Sequence, residues 1–519
     1  MRRVNRNRPP HIRRKNKAES ITDGLQEAAN RPIGRSPADA VVMIQEALGN
    51  SPDINIRKMA NEKFVVSYID SLIDPKLLSE LMSNLETLIQ EGGEAVSKEK
   101  FADSISAGSV KPANTERDLL AGLLTGAAVV LIDGLEGAMV VSIPGGSRRS
   151  VEEPSSQTVI RGPKEGFTED LSTNLSLLRK RLRTPDLRYE NRVIGTYTQT
   201  RVVVAYIRGI AQSSVVEEVL KRLDAIDTDS ILESGYIEEF IQDRAFTPFP
   251  TILNTERPDT VAGSLLDGQV SILIDGTPFA LVCPVTFFKF FLSSEDYYQR
   301  YDISSFLRNI RLFSFLVAML LPSLYIAVTT FHPEMLPTTM LISIAAQREG
   351  TPLPALLEAM LMEITFEVIR EAGVRMPRVV GPAISIVGAL VLGQAAVQAG
   401  LVSAVMVIIV SFTAIANFVI PTFAMSAAVR LIRFGLMILA GSFGLYGILC
   451  GVIPLLMHLV SLQSFGVPYF LPVAPLSWSN MKDVFIRLPW PRMNKRPEFI
   501  SIHNQVRQGK GPEKGQNES

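Results

Sequence analysis

Glu363, Glu367 and Glu371 stand four residues apart in LMEITFEVIREAG. On a helix they form a single acidic stripe about 80° wide. Ionisable groups inside apolar segments usually face a bundle interior or a water-filled path. In a symmetric oligomer such a stripe becomes stacked acidic rings, which favour cations. The competing reading is an interfacial helix with its charges in water, Glu367 pairing with Arg370 one turn on. A second pattern concerns packing. Ala440, Gly444, Gly447 and Gly451 recur at spacings of four, three and four, a seam that lets another helix approach closely. Ala389 and Gly393 repeat the motif beside the polar Gln394 and Gln398.

The elements that must hold these residues are apolar and long. Residues 312–460 carry only six Arg and six Glu, with none of either from Val379 to Val429. Four runs are long enough to cross a bilayer: Leu312 to Phe331, Val379 to Ala399, Val402 to Ile420 and Phe434 to Leu459. Arg308 and Arg311 precede the first, which makes its start cytoplasmic. The tail from Lys482 holds eight Lys and Arg against four acids, so it too belongs inside and the number of crossings is even. Four is the simplest count. The segment from Phe331 to Gly373 is broken by prolines at His332-Pro333 and Thr351-Pro352-Leu353-Pro354, and reads as re-entrant or pore-facing. Arg370, Arg375 and Arg378 pull its end to the cytoplasmic side, against a count of four, so five or six crossings stay open.

Ahead of these runs lie about 310 residues with no spanning segment and no signal peptide, expected in the cytosol. The 519-residue chain is 47% hydrophobic and 20% charged. Its cysteines, Cys283 and Cys450, suggest neither a disulfide framework nor a metal site. The first seventeen residues hold eight Arg and Lys and no acid, a solvated tail or one that touches anionic lipid. No aromatic platform accompanies them, so nucleic acid is not expected. The soluble half reads as a tandem duplication of two small α/β units. FVVSYID at Phe64 matches VVVAYIR at Val202, and LLTGAAVVLIDG at Leu123 matches LLDGQVSILIDG at Leu265, seven of twelve positions being identical. Each unit is expected to hold a strand, a helix and a hairpin turning at Asp133-Gly134 or Asp275-Gly276. The loop Arg161 to Phe167 reads as a structural turn, with anion binding as the alternative. No nucleotide-binding, zinc-protease or nucleophile-elbow motif occurs, so no enzyme and no cofactor is expected.

The divisions are a basic disordered tail (1–40), an α/β subdomain with a linker helix (41–190), a second α/β subdomain (191–305), an all-α polytopic membrane domain (306–478) and a basic cytosolic tail (479–519).

Several motifs resemble the A subunit of the GerA-type germinant receptors of spore-forming bacteria. They are GPKEGFTE with NLSLLRKRL, PFAL, SEDYY, FHPEMLPT, REGTPLPALLEAMLMEITFEVIREAG, ISIVGALVLGQAAV and RLPWP, and the likeness covers nearly everything after residue 40. The basic N-terminal extension departs from the family pattern. The resemblance implies a spore inner-membrane protein working with a transporter-like B subunit, which binds nutrient, and a lipoprotein C subunit. It also implies a homo-oligomer, expected as a pentamer, that forms a ligand-gated cation channel in the bilayer. A secondary transporter, a non-conducting scaffold of the receptor complex and a sporulation paralogue are the alternatives.

Overall fold

The computed structural model describes residues 31–49, 51–60, 63–90, 98–145, 153–154, 157–375, 393–478, 480–497, 500 and 504–507. Residues 1–30 of the expected tail lie outside them. From Pro37 the chain is already helical, so the first unit starts before the expected boundary at residue 41.

The N-terminal half holds two units built to one plan. The first runs through a helix (Pro37–Leu48), β1 (Ile54–Met59), β2 (Phe64–Ile69), helices Pro75–Gln90 and Lys98–Ser104, β3 (Ser109–Ala113), helix Glu116–Leu124, β4 (Ala127–Ile132) and β5 (Ala138–Ser142). The second repeats that order with a helix (Leu171–Arg181), β6 (Leu187–Ile194), β7 (Thr200–Ile207), helices Ser213–Asp224 and Ser234–Ile241, β8 (Leu253–Thr255), helix Pro258–Asp267, β9 (Val270–Ile274) and β10 (Ala280–Cys283). The sheets are ordered β1-β2-β4-β5-β3 and β6-β7-β9-β10-β8, one topology used twice. The segments matched in sequence occupy equivalent places in β2 and β7, and in β4 and β9.

Two expectations need correction. Each unit has five strands, because the flanking strands β1, β3, β6 and β8 escaped the pattern of apolar runs. The boundary at residue 190 also falls inside β6. The Leu171–Arg181 helix is the first element of the second unit, since Leu171, Leu175 and Leu178 pack on Leu187, Tyr189 and Val203. Alternation explains the layering. In β7, Val203, Ala205 and Ile207 face that helix, while Val202 and Val204 face Val215, Val219 and Ile237 on the opposite side. Gly134 and Gly276 take φ of +79° and +88° at the two hairpin turns, where glycine carries no steric penalty.

Arg179 joins the units. It is fully buried, donates through Nε to Asp53 Oδ2 (2.9 Å) and through Nη2 to Ser51 Oγ (3.0 Å), and lies over the Tyr189 ring. In the second unit, burial and the neighbouring Glu233 push the Glu238 carboxyl up to about 7. The folded form therefore holds a proton that the unfolded chain, with a reference value of 4.5, has released. Stability falls as pH rises between those values and stays lowered above the upper one. Glu238→Gln should raise stability above pH 7 by about 1–2 kcal/mol, discounted for partial exposure, and change nothing below pH 4.5. Urea unfolding across that range checks it.

The C-terminal half is helical. By length and composition, Tyr301–Phe331 and Phe423–Ser461 can cross a membrane, and Ala404–Phe418 is a shorter apolar helix. The long Phe423–Ser461 segment departs from the expected single span. Gly444 has φ +62° and ψ −141°, a conformation essentially reserved for glycine. Beyond it the chain folds back. A straight 39-residue helix would be about 58 Å long, yet both ends of this one meet the Phe287–Phe291 segment. Thr422 Oγ1 donates to Phe290 O (3.2 Å), and Phe287 N donates to Tyr469 O (2.8 Å), seven residues past Leu462. The segment is a helical hairpin whose tip touches Phe331 and His332.

Between the apolar elements, Ala355–Arg375 is a continuous 21-residue helix, not a re-entrant fragment. It is about 31 Å long and lies antiparallel to Tyr301–Phe331. Leu356 sits against Gly441 near the hairpin tip, and Glu367 sits against Arg430 near the hairpin base. Of the expected span Val379 to Ala399, only the part from Gly393 lies within the described residues.

A side chain at the tip is costly. A Cβ on Gly444 would stand 2.9 Å from Phe331 Cβ and from His332 Cε1. Gly444→Ala should lose about 1–3 kcal/mol from backbone strain alone. Gly435→Ala, in open space on the first arm, should be neutral. Thermal melts of the purified chain in detergent separate the two.

Candidate functional site

The apolar helices enclose a ladder of charges. Its upper rung is Glu363 with Arg433, each 1% exposed, at 2.8 Å. Below it, Glu367 accepts from Arg430 Nη1 (2.9 Å), pairs with Arg370 on its own helix, and lies 3.5 Å from Arg433. At the C-terminal end of the helix Glu371 pairs with Arg375 at 2.7 Å, and both are exposed. The helix Ala355–Arg375 supplies the acids because a four-residue repeat drifts slowly around its surface. The first arm of the hairpin supplies Arg430 and Arg433 from one face.

The three candidate path residues are therefore not a free acidic lining. Glu363 and Glu367 turn toward arginines of the same chain, and Glu371 reaches the surface. The pairing of Glu367 with Arg370, weighed as the interfacial alternative, is present, but one pair among three. The outward face of this helix is aliphatic, with Leu357, Leu361, Ile364 and Val368 exposed.

A further acid, Glu358, lies about one and a half turns beyond Glu363 and is fully buried. Its Oε1 accepts from Ser403 N (2.6 Å) and Ser403 Oγ (2.7 Å) at the start of the Ala404–Phe418 helix. There the helix dipole favours a negative charge. Sequence reasoning paired neither Glu358 nor the two hairpin arginines with a partner. Glu358 is off the four-residue register, and Arg430 and Arg433 stand more than sixty residues from their partners.

The small residues play two roles. Gly447 and Gly451 line the crease between the hairpin's own arms, and Ala440 is buried in the cluster that holds Ile326 and Ala359. A Cβ on Gly447 would lie 2.1 Å from Leu439 O, and one on Gly451 2.5 Å from Leu436 Cδ2. Gly444 is the turn itself. The loop from Arg161 to Phe167 is tied to the second unit, its Pro163 carbonyl accepting from Arg257 Nη2 at 2.9 Å.

The helical layer is fixed to the soluble half by a second buried cluster. Arg308 donates through Nε to Asp296 (3.1 Å) and through Nη1 to Asp483 Oδ1 (2.8 Å). Arg311 adds a 2.8 Å contact to Asp296, and Tyr297 Oη donates to Asp483 at 2.8 Å. The described part of the C-terminal tail is thus packed on the protein. Arg487 Nη1 donates to Gln299 O (2.8 Å) and Arg496 Nε to Leu266 O (2.8 Å).

A profile of the Bacillus/Clostridium GerA spore germination protein family matches residues 42–499. The chain belongs to that family. Its members are A-type subunits of germinant receptors, which are not enzymes. Spore germination protein KA of Bacillus subtilis (strain 168) is 46% identical over 497 residues, 93% of this chain and 91% of that protein. The uncharacterized membrane protein YfkQ of the same organism is 41% identical over 502 residues, 95% and 97% of the two chains. The crystal structure of the N-terminal domain of the A subunit of the Bacillus megaterium spore germinant receptor GerK3 is 37% identical. It covers 50% of this chain and 98% of that one, with a TM-score of 0.40.

Proposed function

We propose that this chain is the membrane subunit of a nutrient germinant receptor, seated in the spore inner membrane with both termini cytoplasmic, and that it oligomerises into a ligand-gated cation channel. The observation that carries the reading is the ladder Glu363–Arg433–Glu367–Arg430 within apolar helices, since charges at such depth mark ion pathways. Glu363 Oε1, Arg433 Nε and Glu358 Oε2 are buried without a hydrogen bond, and water entering the layer would satisfy them. Nutrient recognition then belongs to a transporter-like B subunit, with a lipoprotein C subunit beside it, and a pentamer is the expected assembly.

The order of contacts supports six crossings instead of four. Arg308, Arg311, Arg370, Arg375 and Arg430 gather at one end of the helices, as the positive-inside rule asks. Gly350 and Gly400 approach each other near the opposite end, where Ser403 also meets Glu358, so the Ala404–Phe418 helix starts from that end. Each hairpin arm adds one crossing. The arginine cluster that conflicted with four crossings agrees with six.

Recording from the purified chain in planar bilayers tests the reading. The parent should pass cation-selective current, and the triple variant Glu363→Gln, Glu367→Gln, Glu371→Gln should change conductance or selectivity. A variant that conducts and selects as the parent does removes the glutamates from the path. Absence of current from a correctly folded oligomer removes the channel.

A further inference from the structure

We infer that the loop Arg244–Pro248 of the second soluble unit is a lipid anchor, with Phe246 seated in the cytoplasmic face of the bilayer. The inference rests on the membrane reading above and adds to it a lipid-contact surface on the soluble half. Phe246 is 98% exposed, whereas most of its phenylalanine neighbours, such as Phe249 and Phe287, are buried in the core. A single exposed ring is common on protein surfaces; what sets this one apart is where its loop is held.

The position of the loop names the partner. Thr247 Oγ1 and His458 Nε2 lie 2.9 Å apart, within hydrogen-bond distance. His458 belongs to the last turn of the second hairpin arm. Phe249 packs beside the same imidazole with ring centres 6.4 Å apart, and Tyr469 Oη donates to Pro250 O at 2.7 Å. The loop is therefore pinned at one height, the base of a helix that presents Met457 and Val460 outward. Those residues are lipid-facing if the hairpin is embedded, and Phe246, next in sequence to Thr247, is held beside that helix end. Arg244, two residues earlier, is exposed and stands where anionic headgroups lie. An aromatic ring with a neighbouring cation at this depth is the chemistry of an interfacial anchor. Seating it would hold the second unit at a fixed orientation beneath the helices.

Depth-dependent quenching of the full-length chain in vesicles tests this. Phe246→Trp and, separately, Met457→Trp are introduced, the parent chain giving the background of Trp478 and Trp490. Vesicles contain phosphatidylcholine and phosphatidylglycerol, with lipids brominated on the acyl chain as quencher and iodide as the aqueous quencher. The expected result is brominated-lipid quenching at 246 comparable to that at 457, with protection from iodide. Quenching at 457 but not at 246, with 246 open to iodide, overturns the anchor and leaves the membrane reading intact. A 246 site shielded from both quenchers means that protein covers the loop, and this too overturns the lipid assignment. Absence of lipid quenching at both positions fails the membrane reading itself.

Discussion

Arg433→Met should destabilise the chain more than any other single change in the helical layer, by about 3–5 kcal/mol. The side chain is 1% exposed and faces Glu363 at 2.8 Å. Its removal strands a carboxylate that no other cation contacts among the described residues, and isolated buried charges are among the costliest defects in a fold. Glu363→Gln should cost less, because Arg433 still has Glu367 at 3.5 Å. The double variant Glu363→Leu, Arg433→Met should recover much of the loss, since a buried pair exchanged for apolar residues is often neutral. Thermal unfolding in detergent, read as a double-mutant cycle, gives the coupling. A double variant no more stable than Arg433→Met alone would mean that Arg433 acts through Glu367 or through packing. The same cycle in bilayer recordings separates roles: a ladder that only holds the fold leaves selectivity untouched in the stable double variant.

What the sequence disclosed depended on the range over which its patterns act. The central strands β2, β4, β7 and β9 were legible because buried strands read as apolar runs, and the Asp-Gly turns mark where two of them double back. The strands β1 and β6 were not. INIRKM and LRYENRVI alternate with charged residues because they flank the sheets, and they resemble loop. On the helices, i to i+4 relations such as Glu371 with Arg375 can be read directly. The pairs Glu363–Arg433 and Glu367–Arg430 join helices and leave no local trace. Gly444 was visible but misread. Small residues four and three apart serve helix packing in any geometry, and the spacing cannot tell a seam between two helices from a crease within one. A glycine at the centre of such a run also fits a turn, and only the backbone angle decides.

Arg308→Met should release the C-terminal tail and loosen the joint between soluble and helical halves. Three segments converge on this guanidinium: the connector through Asp296, the base of Tyr301–Phe331 that carries it, and the tail through Asp483. Arg308 also lies 5.3 Å from the centre of the Tyr297 ring. Burial and the Asp483 charge push the Tyr297 phenol up, so it stays a donor to that carboxylate. Asp296 would retain Arg311, but Asp483 would lose its cation, and a cost of about 2–4 kcal/mol follows from breaking charged, buried hydrogen bonds. Arg308→Lys should rescue little, because one ammonium cannot reproduce a fork that reaches two carboxylates and a carbonyl. Arg311→Met, on a partly exposed side chain, is the milder control. Limited trypsin digestion reads the result, since Lys482, Arg487 and Arg492 lie in the tail. In the parent these sites should be protected, and in Arg308→Met they should be cut several times faster. Protection that survives the substitution would shift the weight to Arg487 and Trp490, which grip the connector independently through Gln299 O and Tyr297 O.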